Sequence, residues 1–280
     1  MTEFAEGGSL KIVPIFSGGG TRLTAHIGII RALHELNLNF DHMVGISGGS
    51  IVSALYSCGR SLDDIMELAL ETDFRQFRGY SVLRLLMDGG LSSGNIFEDW
   101  MDKQLGGVTF SQLPKNLNIV ATDVNGGGPV VFNKMTSPDL RVSAAVRYSM
   151  SIPLLFSFKR YKHHLLVDGA ILSEDALFQD WSGSNQTNLC FRLKSQQITT
   201  AHKRQSFFQL PEFVFMLIRT FMTSLSREYV HAERWHNTIV VNTGTISSVD
   251  FKMSQQAKHW LYKAGYESAK KFIPIKLLQP

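Results

Sequence analysis

The sequence predicts an α/β fold on a mostly parallel sheet. Three observations carry that expectation. Residues 11–16 (KIVPIF) and 41–46 (DHMVGI) are short β-rich runs. Each ends in a glycine-rich turn, at 17–20 and at 45–49. Each turn opens a helical pattern, so strand, turn and helix follow one another twice, as parallel strands joined by crossover helices require.

The elements follow in chain order. After the first turn, Ile27, Ile30, Leu33, His34 and Leu36 recur at helical spacing. The second helix runs from Gly48 to near Gly59. Residues 62–74 read as an amphipathic helix capped by Ser61, and 95–105 as another stopped by Gly106-Gly107. Residues 117–123 (LNIVATD) form a strand, 125–128 a turn and 129–132 a returning strand. A helix over 139–149 stops before Pro153. Residues 165–167 form a short strand ending at Asp168-Gly169. Residues 181–205 are polar and are read as including a loop; a helix at 211–227, a strand at 239–242 and a helix at 254–272 complete the chain. No internal repeat or low-complexity segment divides it. A tail over 1–10 and one domain over 11–280 are expected.

Composition narrows the class. Of 280 residues, 44% are hydrophobic and 19% charged, which fits an ordered globular chain. Cys58 and Cys190 are the 2 cysteines, too few for a disulfide framework or a C-x-x-C metal site. No signal peptide, transmembrane run or lipidation motif is recognised, so a cytoplasmic protein is expected, with peripheral contact on the inner membrane face. The formal charge of +4 hides an asymmetry: residues 1–180 carry −4 and residues 181–280 carry +8. A basic C-terminal third points to an anionic membrane or a nucleic acid, or is a solvated face.

Three constellations carry chemistry. Gly45-Ile46-Ser47-Gly48-Gly49 is a G-x-S-x-G turn between strand and helix. Such a turn projects a serine oxygen above the sheet edge, where the helix N-terminus favours developing negative charge. Gly18-Gly19-Gly20 ends the preceding strand and opens on the same edge, so its amides are placed to face Ser47 as an oxyanion hole. Arg22 follows, to orient the loop or to bind a phosphate. A nucleotide loop is a poor match, since Leu23 stands where a third glycine is needed and no G-x-x-x-x-G-K-[ST] occurs. Asp168-Gly169-Ala170 follows an apolar strand and brings a carboxylate to the same edge, where burial would raise it toward a general base.

In this order the three motifs resemble the patatin-like phospholipases. Agreement extends to His26-Ile27-Gly28, Ala121-Thr122-Asp123, Ser149-Met150-Ser151-Ile152-Pro153, Asp250-Phe251 and Gly265-Tyr266, spanning about residues 11–272. Two positions depart: Leu23 and Ala170 stand where the family usually has glycine. A positive φ at Leu23 would strain the loop. The resemblance implies a three-layer α/β/α patatin-like fold and acyl-ester hydrolysis by a Ser47–Asp168 dyad through an acyl-serine. The oxyanion would be held at Gly18, Gly19 and Gly20. Phospholipid or lysophospholipid is the expected substrate, with no cofactor, no metal and no nucleic acid.

Three readings compete with this one. The same G-x-S-x-G serves Ser-Asp-His triads, for which His231, His236 and His259 follow Asp168, whereas His26 is expected to pack under the glycine loop. A latent effector opened by a partner, an oligomeric contact or a small nucleotide signal is the second. A non-catalytic binding module using the basic third is the last, and it would not need the serine, aspartate and glycine loop together.

Residues 207–225 are unusually apolar. Phe213, Leu217, Phe221 and Leu225 form one row, and Val214, Ile218 and Met222 an adjacent one. The segment is either core or a lid or interfacial helix within 200–230, flanked by Lys203, Arg204, Arg219 and Arg227.

Overall fold

The computed structural model of the chain describes residues 10–173, 177, 179–196, 210–225 and 232–278. The strands are β1 (Ile12–Ser17), β2 (His42–Ile46), β3 (Gly90–Ser92), β4 (Asn116–Asp123), β5 (Gly128–Phe132), β6 (Leu154–Phe156), β7 (Lys159–Tyr161), β8 (His164–Val167), β9 (Thr187–Lys194) and β10 (Thr238–Asn242). The helices are α1 (Thr24–Glu35), α2 (Gly48–Ser57), α3 (Leu62–Glu71), α4 (Val82–Asp88), α5 (Asn95–Leu105), α6 (Val142–Ser149), α7 (Leu210–Leu225) and α8 (Gln255–Leu277).

The main sheet has the order β10-β9-β1-β2-β4-β8-β7, with β5 also on β4. From β10 to β4 the neighbours are parallel, while β5, β7 and β8 join antiparallel. The parallel part is buried on both faces. Ile12 and Phe16 of β1, Met43 of β2 and Leu117, Ile119 and Ala121 of β4 belong to the large core with α1, α2 and α8. The alternate residues Val13, Ile15, Val44, Ile46 and Val120 meet Leu177 and Trp181 on the opposite face. Helices thus flank a mostly parallel sheet.

Several boundaries differ from the expectation. The polar stretch at 181–205 contains β9, which pairs with the whole of β1 and lies one strand in from the edge of the sheet, between β1 and β10. Its polar residues Asn188 and Arg192 interrupt the apolar run that a buried strand usually shows, while Leu189, Cys190 and Phe191 are fully buried. The helix expected from 62 to 74 ends at Glu71, and residues 74–77 form a separate 3-10 turn capped by Asp73. The helix expected from 139 starts at Val142. The final helix continues past Phe272 to Leu277, with Pro274 in its last turns. The short elements α4, β3, β6 and β7 were not anticipated. The tail residues 1–9 and the flanking Lys203, Arg204, Arg227 and His231 lie outside the described residues.

Candidate active site

The register of β4 builds the site. Ile46, the last residue of β2, pairs with Val120. Val167, the last residue of β8, pairs with Thr122. β5 occupies the other edge of β4 over Ile119–Asp123, so β2 and β8 share one edge and approach each other end to end. The residues that follow the two strands, Ser47 and Asp168, therefore meet in the gap opposite Ala121. The carboxylate was expected at the carboxyl end of a strand, on the same sheet edge as Ser47. It reaches that edge from the opposite direction, on an antiparallel strand.

Asp123 fixes this approach. Its Oδ1 accepts the amides of Leu165 and Asn125, each at 3.0 Å, and its Oδ2 lies 2.8 Å from Nδ1 of His164. These contacts tie the start of β8 to the end of β4. The His164 contact does most to hold the Asp123 carboxyl down at about 2. Gly169 completes the junction, since a methyl group there would overlap the Val120 carbonyl.

Ser47 sits at φ 53° and ψ −129°, a strained turn for a side chain other than glycine. Its Oγ donates to Oδ2 of Asp168 at 2.8 Å. Its amide donates to Oγ of Ser149 at 2.8 Å, and that hydroxyl donates to the Val120 carbonyl at 2.6 Å. Sδ of Met150 lies 3.7 Å from the serine oxygen. Asp168 Oδ1 accepts the Ala170 amide at 2.9 Å. Both members of the pair are fully buried. Burial pushes the Asp168 carboxyl up to about 7, against the opposite pull of the Ala170 amide and the Ser47 hydroxyl.

The glycine loop packs directly on this turn: a methyl group on Gly48 would overlap the Gly20 amide nitrogen. Gly18, Gly19 and Gly20 all hold positive φ, at 72°, 111° and 54°. The three do not offer equal amides. That of Gly18 donates to the Ile46 carbonyl at 3.1 Å, extending the β1–β2 ladder. The amides of Gly19 and Gly20 make no hydrogen bond among the described residues. Of the three amides expected to face Ser47, that of Gly18 is thus engaged elsewhere. Leu23 holds φ −55°, so the missing glycine there strains nothing. Ala170 is likewise outside the positive-φ set.

Arg22 and His26 brace the loop from beneath. Arg22 is buried; its guanidinium donates to the Gly19 carbonyl at 3.2 Å, to Thr243 Oγ1 at 2.8 Å and to the Leu193 carbonyl at 3.4 Å. Of the two roles expected, these contacts fit loop orientation and leave the guanidinium facing protein. Burial lowers it to about 10. Nε2 of His26 lies 3.0 Å from the Gly18 carbonyl, as the packing expectation required. Burial lowers His26 to about 4, so at neutral pH the ring is uncharged and Nε2 carries the donated proton.

A narrow apolar cavity of about 30 Å³ starts at Gly20 and Met150 and continues between Phe74, Phe77, Phe97 and Phe156. These rings were not singled out from the sequence, because three separate segments supply them. A second cavity of about 30 Å³ lies on the other side of the loop, between Gly18, Gly19, Ala170, Arg192 and Met222. Met222 brings α7 to the site. Of the two apolar rows on that helix, Val214, Ile218 and Met222 are buried, whereas Phe213, Leu217 and Phe221 are 45%, 43% and 37% exposed. Helix α7 therefore has a core row and a surface row side by side.

The 2.8 Å contact between Ser47 and Asp168 leaves no space for an imidazole between them. His236 and His259 are exposed. His231 is outside the described residues. Among the described residues no cluster of three metal-ligating side chains occurs, and no helix is long and apolar enough to cross a membrane.

A serine on a strand-to-helix turn, a glycine loop and a buried carboxylate thus meet at one place. The chain belongs to the patatin-like phospholipase family, whose model matches residues 15–178. Among curated relatives it is similar to an uncharacterized protein of Acanthamoeba polyphaga mimivirus, 25% identical over 277 residues, covering 94% of this chain and 93% of that protein. It is also similar to YqhO of Bacillus subtilis, an uncharacterized protein 26% identical over 288 residues, covering 92% and 97%. Among solved structures, VipD from Legionella pneumophila superposes with a TM-score of 0.64 at 15% identity, over 96% of this chain and 67% of that one. The type III effector ExoU gives 0.53 at 15% identity, over 95% of this chain and 53% of ExoU. These last two likenesses are of fold.

Proposed function

We propose that the protein hydrolyses fatty-acyl esters of phospholipids or lysophospholipids, with Ser47 as nucleophile and Asp168 as base. The observation that carries this reading is the direct 2.8 Å hydrogen bond from the Ser47 hydroxyl to a fully buried carboxyl raised to about 7. A carboxylate in that range accepts a serine proton without the help of a histidine. Ser47 Oγ attacks the acyl carbonyl carbon as its proton passes to Asp168 Oδ2. The amides of Gly19 and Gly20 hold the oxyanion, and the departing alcohol takes the proton from Asp168. Asp168 next draws a proton from water, whose oxygen attacks the acyl-serine. The fatty acid leaves, and Ser47 regains its proton. Each oxyanion donor in such a site contributes about 3 kcal/mol in the transition state.

The aromatic cavity beside Gly20 and Met150 marks where the acyl chain enters in this reading; at about 30 Å³, room for one water, it must widen to admit the chain. A fatty acyl chain is flexible and apolar, and the Phe74, Phe77, Phe97 and Phe156 rings offer it matching walls. The test is lipidomic. The wild type, Ser47→Ala and Asp168→Ala are each incubated with mixed membrane lipids. Fatty acids and lysolipids released by the wild type alone support the reading; release by all three, or by none under any activating condition, overturns it.

One observation favours a regulated version. Ser47 and Asp168 are fully buried, and Met222 of α7 lines the cavity beside the glycine loop. The closed site fits a hydrolase that waits for α7 to move, as on meeting a lipid surface or an activating partner. The fold it shares with ExoU, a type III effector, is compatible with that version.

A further inference from the structure

Helix α4 is an exposed apolar element that the proposed function does not use. None of its residues is buried, and Leu83, Leu86 and Met87 are 69%, 77% and 72% exposed. Three large apolar side chains held in water on one short helix need a partner. The feature continues beyond α4. Tyr80, exposed, lies 6.0 Å from the Phe215 ring of α7, and the Arg78 guanidinium stacks 3.6 Å from the same ring. At the other end, the Phe158 ring stands against Gly89, which caps α4. Leu154 adds an exposed apolar residue held at φ 68°.

We infer that α4 and the Leu154–Phe158 segment form one face that docks on an anionic lipid bilayer. Two observations select a bilayer over a protein partner. The first is charge. Residues 154–164 carry Lys159, Arg160 and Lys162 with no carboxylate among them; Lys159 is paired with Glu98 at 3.1 Å, so Arg160 and Lys162 supply the rim. Arg160 and Lys162 are exposed, and the Arg160 guanidinium is 5.9 Å from the centre of the Phe158 ring. An apolar patch with a cationic rim matches acyl chains below and anionic headgroups above. The second is continuity with the cavity. Phe77 and Phe156 line the apolar cavity, and the chain runs from them directly into Arg78–Tyr80 and Phe158 of the patch. A lipid drawn from the bilayer would meet aromatic surface from the membrane to Met150.

The choice of occupant rests on the phospholipase reading, but the test does not require catalysis. Full-length Ser47→Ala protein is sedimented with vesicles of phosphatidylcholine, with and without phosphatidylglycerol. The inference expects binding that phosphatidylglycerol strengthens. It expects the combined Leu83→Asp, Leu86→Asp and Met87→Asp changes to weaken binding at least about tenfold. In the catalytic background the same three changes should leave hydrolysis of a short soluble ester unchanged. Leu86→Trp supplies a second readout that needs no destabilising charge: its fluorescence should be quenched by brominated lipid beyond the wild-type background. Undiminished sedimentation of the triple variant overturns the inference, as does an unquenched Leu86→Trp. So does a wild-type dimer that the triple variant dissociates, because a second copy would then be the occupant. Vesicle binding without ester hydrolysis by the active protein would defeat the enzymatic reading and leave this one standing.

Discussion

The hydroxyl of Ser149 accepts the Ser47 amide proton at 2.8 Å and passes its own to the Val120 carbonyl at 2.6 Å. Ser149 thus connects the strained nucleophile turn to the strand that also receives β8. The side chain is fully buried. Ser149→Ala leaves the Ser47 amide without a partner, which costs about 1–3 kcal/mol. The expected outcome is a loss of that size in urea denaturation. It should come with a fall in kcat larger than any change in KM, because the serine is displaced from its attack geometry. Unchanged kcat in a destabilised variant would reduce Ser149 to a packing role.

The rate should titrate with Asp168. The base must be ionised to accept the serine proton, and its carboxyl is raised to about 7. The kcat/KM for a soluble ester should therefore rise roughly tenfold per unit on the acid side and level off above about pH 7. An acid limb near pH 4 would mean that the carboxyl is not desolvated in the working enzyme.

Stability should carry two opposed pH dependences. Asp168 is raised from 3.8 to about 7 in the fold, so the folded state holds the proton more tightly and stability falls as pH rises through that window. His26 is lowered from 6.5 to about 4, so the unfolded state holds the proton more tightly and stability falls as pH drops through that window. The two slopes offset each other between about pH 4 and pH 6.5. Asp168→Asn removes one of them. Its stability relative to the wild type should increase by about 1.4 kcal/mol per pH unit across that interval, read by urea denaturation at several pH values. A pH-independent difference would contradict the buried, raised carboxyl.

Helix α7 should gate the site. Ile218 is buried on its inner row, away from the dyad's own hydrogen bonds. Ile218→Ala weakens the closed position by about 2 kcal/mol. If closure limits access, hydrolysis of a soluble ester rises by up to about thirtyfold. Leu217→Ala, on the 43% exposed row, should leave that rate unchanged. Equal rates in all three proteins would remove α7 from the gating role.

The residues of the site were legible in the sequence because turns demand particular residue types. Glycines mark the loop at 18–20, and a small-residue turn marks Ser47. What was not legible depends on pairing. That β8 runs antiparallel and stops opposite Thr122 is a matter of register, and three apolar residues do not specify direction. The Gly18 amide is spent on a ladder bond that only the β1–β2 pairing reveals. Strand β9 was hidden because Asn188 and Arg192 interrupt its apolar residues, and the Asn188 side-chain amide is satisfied by the Gln179 carbonyl at 2.8 Å. The rings of the aromatic cavity come from three distant segments, so no local pattern announces it. For α7 both apolar rows were visible, but which one faces the core is decided by its neighbours.

The central claim is that Ser47 is an acylatable nucleophile activated by Asp168. The most direct measurement is intact-mass and peptide mass spectrometry after exposure to a fluorophosphonate ester, a reagent that traps activated serines. The account predicts one adduct per chain, on the peptide bearing Ser47. It predicts none in Ser47→Ala, and labelling slowed by at least about a hundredfold in Asp168→Asn. An adduct on any other residue, or undiminished labelling of Ser47 when Asp168 is replaced, would contradict it.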